Sequence, residues 1–141
     1  MESTTDAAQP PLYSPVQVFL AGFCGGPLAP VYLLSRNFRS LGQPDAERRY
    51  LLIGSALCFF LLVTVVMVPA RVSTGVFIGA AFVGNMLARQ YHFGGQKVLP
   101  KGTPLHSNWR VLFNTLACFA AWAAAVVALM LGLSAAGFKL P

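Results

Sequence analysis

Residues 111–133 read VLFNTLACFAAWAAAVVALMLGL, an apolar run without a single Asp, Glu, Lys, Arg or His. A helix crossing the hydrocarbon core of a bilayer needs roughly 20 such residues, and a helix suits that core because it satisfies its own backbone where water is absent. Working back toward the N-terminus, three further apolar runs appear, Val72 to Ala88, Tyr50 to Val68 and Val16 to Leu34. The run from Val72 is the shortest and sits at the lower limit of about 17 residues for a crossing. The pattern predicts an all-α, polytopic membrane protein: a four-helix transmembrane bundle with spans at 16–34, 50–68, 72–88 and 111–133, between a mobile tail over 1–15 and a short tail over 134–141. Composition agrees. Of 141 residues 56% are hydrophobic and 10% charged, whereas a soluble domain is about a quarter charged. One domain is all this length holds. The N-terminal tail lacks a positive leading segment, so no cleaved signal peptide is expected.

The net charge of +6 resembles a nucleic-acid signature until the charges are placed. Arg36, Arg39, Arg48 and Arg49 fall in the first connection, and Arg89, Lys97, Lys101 and Arg110 in the third. The opposite side holds only Arg71 and Lys139. Basic residues concentrate in cytoplasmic loops, so connections one and three are expected in the cytoplasm and both termini in the periplasm. The same eight cations are expected to meet anionic lipid headgroups or a protein partner, and not nucleic acid.

Burial from water cannot drive helices together inside lipid; close backbone approach does, and that needs small residues. Gly22 and Gly26 supply them in the first run, Gly75, Gly79 and Gly84 in the third, and Ala117, Ala121 and Ala125 in the fourth. Helices one, three and four are expected to pack through these faces, and GxxxG spacing could also serve a homo-oligomer. Asn85, Asn114 and Thr115 should lie at similar depth and could hydrogen-bond across the helix pair.

One motif asks for an explanation. Gly25-Gly26-Pro27-Leu28-Ala29-Pro30 sits inside the first run. Each proline removes a backbone N–H, leaving the carbonyls of Phe23 and Gly26 without their usual donors. Helix one should be kinked or broken at Pro27. Either neighbouring helices repair the lost bonds, or free carbonyls at a discontinuous helix coordinate a cation or substrate.

Other chemistry has little footing. The spans hold no ionisable acid or base, which argues against proton pumps and voltage sensors. Asp45 and Glu47 are two residues apart and diverge on a helix. His92 and His106 have no acidic neighbour in their loop, and Cys24, Cys58 and Cys118 are scattered through apolar runs without metal-ligand spacing. Neither a catalytic site, nor a metal site, nor a cofactor is expected.

The stretch Phe23 to Arg49, with its Gly-Gly-Pro-Leu-Ala and Leu-Leu-Ser-Arg-Asn-Phe-Arg-Ser-Leu-Gly, resembles the opening of small bacterial inner-membrane proteins of no established function. Ser107-Asn108-Trp109-Arg110 is similar to the start of their last helix. The resemblance implies a bacterial inner-membrane location and no activity. The expected role is a non-enzymatic structural or partner-binding subunit. The alternatives are a small oligomeric channel or carrier that uses the broken helix, and an immunity protein against a membrane-active toxin.

Overall fold

The computed structural model describes residues 10–67, 70–92 and 102–138. Among them five helices follow in order: α1 (Pro15–Gly25), α2 (Leu28–Ser40), α3 (Pro44–Met67), α4 (Ala70–His92) and α5 (Asn108–Ala135). An isolated parallel bridge joins Leu12 to Leu105. Helices α3 and α5 are long and apolar enough to cross a membrane. Most of their large side chains face outward; Ile53 is 71% exposed and Phe113 67%.

Local chemistry sets the limits of α1. Ser14 accepts a hydrogen bond from the backbone N–H of Gln17, the Gln17 side chain caps Ser14 in return, and Pro15 occupies the first helical position. This reciprocal cap satisfies two donors that a helix start leaves orphaned. The helix stops at Gly26, whose φ of 72° lies in the left-handed region that glycine enters freely. Pro27 follows and cannot donate to the preceding turn. The Gly26 carbonyl then accepts from the Ala29 N–H at 3.2 Å, so the chain turns and α2 begins at once.

Here the structure corrects the expected span over 16–34. The run breaks at Gly26-Pro27, but its two halves do not continue in one direction. The Tyr13 N–H donates to Asn37 Oδ1 at 2.8 Å, and Asn37 Nδ2 donates to the Tyr13 carbonyl at 3.0 Å. The start of α1 and the end of α2 are therefore side by side, and the pair is an antiparallel hairpin with its tip at Gly25-Gly26-Pro27. At about 1.5 Å per residue, α1 and α2, with 11 and 13 residues, reach about 16 and 20 Å. Helix α3, with 24 residues, is about 36 Å long and α5, with 28, about 42 Å. The hairpin thus rises only halfway along the longer helices.

Around the hairpin, α1 lies between α4 and α5 while α2 lies along α3. Close contacts fix the depth. A Cβ at Gly22 would meet Pro30 Cγ at 2.8 Å and Ala81 Cα at 3.0 Å, and one at Gly84 would meet Pro30 Cβ at 2.8 Å. Val18, Ala21, Ala29, Leu33 and Leu34 form the core of the hairpin, with Ala88 of α4 and Val111 of α5. Gly42, at φ 68°, ends α2 with the Gln43 N–H reaching back to the Phe38 carbonyl. That sharp reversal sends the chain straight into α3, which opens on Pro44 with Asp45 and Glu47 in its first turn, where acidic groups complement the helix dipole.

At residues 12–14 the chain is packed where the sequence predicts a free tail. Leu12, Tyr13 and Ser14 are buried, because the Leu12 N–H donates to the Pro104 carbonyl and the His106 N–H to the Leu12 carbonyl.

Candidate functional site

A cluster of polar side chains lies at the open end of the hairpin, where the N-terminal segment, the end of α2 and the start of α5 meet. Asn37, 1% exposed, spends both halves of its amide on the Tyr13 backbone. The Tyr13 ring lies 4.3 Å from that of His106, tilted by 36°. Its hydroxyl accepts from Asn114 Nδ2 at 3.1 Å. Gln17 Nε2 donates to the His106 carbonyl at 3.0 Å and to Asn108 Oδ1 at 2.9 Å. Arg110 Nη1 lies 3.4 Å from His106 Nδ1; a guanidinium only donates, so the contact favours an imidazole whose Nδ1 carries no proton.

The electrostatics fit this geometry. Burial pushes the Tyr13 hydroxyl above its ordinary value, so it stays neutral. Burial first, then the Arg110 and Arg36 cations, hold His106 below its ordinary value. A base whose folded pKa is depressed adds stability above its unfolded pKa of about 6.5, and that stability is lost as pH falls through the folded value. Melting in mild detergent should accordingly drop between pH 7.5 and pH 5. His106→Phe, which keeps the ring against Tyr13, should flatten that part of the profile; an unaltered profile would remove His106 from the response.

The arrangement is a clasp. The side chains of Gln17, Asn37 and Asn114 each bond to another segment of the cluster, and the three segments are far apart in sequence. No family model matches the chain, and no curated protein or solved structure is significantly similar to it. The clasp and the hairpin are thus read on their own geometry.

The sequence-derived site residues fare unequally. Gly25, Gly26, Pro27 and Pro30 do form the break, and all are buried. Thr115 of α5 covers the tip, with its Cγ2 and carbonyl each 2.9 Å from where a Gly25 Cβ would stand. Gly22 and Gly84 pack closely, but Gly75 and Gly79 are exposed, with nothing within 4 Å of an added Cβ. The expected alanine face of the last helix turns outward as well. Ala117 and Ala121 are exposed and Ala125 half-buried, while Val111, Thr115 and Trp122 form the buried side of α5. The bonds expected between Asn85 and the Asn114/Thr115 pair do not form, because α1 stands between α4 and α5. Asn114 instead bonds Tyr13, and Thr115 Oγ1 donates to the Val111 carbonyl of its own helix. Of the basic residues, Arg36, Arg48, Arg49 and Arg110 are exposed, Arg89 is half-buried, and Arg39 pairs with Glu47 at 3.2 Å. Lys97 and Lys101 lie outside the described residues, as do Val68, the last residue of the expected second span, and Pro69 after it.

Asn37, His106 and Asn108 were not legible as partners, since nothing local links positions so distant. Ser14-x-x-Gln17 was legible: a Ser followed three residues later by Gln is a helix-start signature.

Proposed function

We propose that this chain is an integral membrane protein, in a bacterial inner membrane, that acts as a non-enzymatic subunit docking against another membrane-embedded helix. In this reading α3, α4 and α5 cross the bilayer and the α1–α2 hairpin is re-entrant, entering and leaving on the side of the arginine-rich turn. The N-terminus then lies in the cytoplasm with Arg36 to Arg49, and the C-terminus in the periplasm. That replaces the arrangement with both ends outside, since one half-crossing that returns removes a pass.

The observation that supports a docking role is the outward stripe on α5. Ala117, Ala121, Ala124 and Ala128 are exposed at the spacing of one helix face. Lipid does not require small residues; a partner backbone approaching closely does. Extraction in mild detergent should retain an associated chain or a second copy, and Ala121→Leu with Ala124→Leu should release it while the fold persists. A clean monomer from the unaltered protein would end this reading. Topology is tested separately: epitope tags at Met1 and after Gly42 should both be reached by protease only in inverted vesicles, and a C-terminal tag only in spheroplasts. Tags at Met1 and Gly42 on opposite faces would refute the re-entrant hairpin.

A carrier or channel built on the hairpin is the second reading, favoured by a helix break at half depth. Burial of the tip beneath Thr115, and the use of the Gly26 carbonyl by Ala29, count for packing over an ion path.

A further inference from the structure

An apolar cavity of about 340 Å³ opens between α3 and α4, floored by Pro27 and Pro30 of the hairpin and walled by Gly54, Leu57, Gly79 and Val83. It adjoins a second opening, and Tyr50, Ile53 and Leu87 line both. The second is polar where the first is not: Gln43, Asp45 and Arg49 stand at its outer edge. Asp45 and Arg49 are four residues apart on α3, so they share a face. The ion pair formed among the described residues is Arg39–Glu47; Asp45 and Arg49 are both exposed and not in direct salt-bridge contact, so a zwitterion can lie between them.

Length and polarity together select the occupant. From Tyr50 to Leu61 the groove climbs about 16 Å at 1.5 Å per residue, which matches one leaflet, half of a hydrocarbon core about 30 Å thick. Its outer end carries one cation and one anion side by side, at the level where headgroups lie, with Tyr50 and Phe38, rings 5.6 Å apart, marking the boundary. A second helix would need no such charge pair at one end. We propose that the α3–α4 groove binds a single phosphatidylethanolamine-type phospholipid, its phosphate on Arg49, its primary ammonium on Asp45 and one acyl chain along Gly79 to the hairpin tip. This rests on the membrane reading above but not on the α5 docking face.

The test is native mass spectrometry of the full chain in mild detergent, titrated in turn with dioleoyl-phosphatidylethanolamine, -phosphatidylglycerol and -phosphatidylcholine. One phosphatidylethanolamine should be retained, with a preference of about tenfold over phosphatidylcholine, whose quaternary ammonium cannot donate to Asp45; such a ratio is the size of one charge-assisted hydrogen bond. Asp45→Asn should erase the preference over phosphatidylglycerol, and Arg49→Gln should weaken retention of all three. Gly79→Phe, at a position with open space beside it, should fill the groove and abolish retention without lowering the melting temperature. Equal retention of the three lipids, or retention undiminished in Gly79→Phe, would overturn the site. A chain that stays monodisperse in water without detergent would instead overturn the membrane reading itself.

Discussion

Asn37→Ala should unfasten the hairpin and lower the stability of the whole protein by about 2–5 kcal/mol, since it leaves the buried N–H and C=O of Tyr13 both unpaired at about 1–3 kcal/mol each. Asn37 closes the antiparallel pair at its base, donating and accepting at once. Asn37→Asp tests the geometry more finely. It keeps an acceptor for the Tyr13 N–H but loses the donor to the Tyr13 carbonyl and buries a charge, so it should fall no closer to the unaltered protein than Asn37→Ala. Asn114→Ala removes one bond, to the Tyr13 hydroxyl, and should cost about 1 kcal/mol. Thermal unfolding in mild detergent ranks the three. A melting temperature for Asn37→Ala equal to that of an exposed control such as Arg48→Ala would show that the hairpin is held by packing alone.

The second large effect is expected at Gly22. A side chain there meets Pro30 Cγ at 2.8 Å and the Ala81 backbone at 3.0 Å. Pro30 is a rigid ring at the start of α2 and Ala81 Cα belongs to α4, so neither neighbour can swing aside. Gly22→Val must therefore push α1 from α4, and forced overpacking of this kind typically costs about 1–3 kcal/mol and occasionally more. Gly75→Val is the matched control. Nothing lies within 4 Å of a Cβ at that position, and the variant should melt within about 0.5 kcal/mol of the unaltered chain, as surface substitutions usually do. If Gly75→Val proved the more damaging of the two, the α1–α4 contact would have to be abandoned.

The contrast between these glycines shows where sequence reading stops. Gly22 and Gly26 in the first run and Gly75 and Gly79 in the third carry the same four-residue spacing and the same apolar company. Gly22 and Gly84 are pressed against Pro30, yet Gly75 and Gly79 face open space. Spacing identifies a face that permits close approach; it does not say which neighbour arrives. The alanines of α5 repeat the lesson, because α5 buries the side bearing Val111, Thr115 and Trp122.

Determined by the sequence alone were the helices, the break and the charge pattern. Apolar runs between basic turns call for helices, of which the structure makes α3 and α5 long and apolar enough to cross a membrane, and two prolines beside paired glycines kink or break the helix that holds them. Tertiary structure alone decided the direction of the chain after the break. A proline break is compatible with a bent crossing or with a return. The choice falls to contacts between residues far apart in the chain: Tyr13 on Asn37 at the base, Pro30 in the space left by Gly22 and Gly84 along the sides, and Thr115 over the tip.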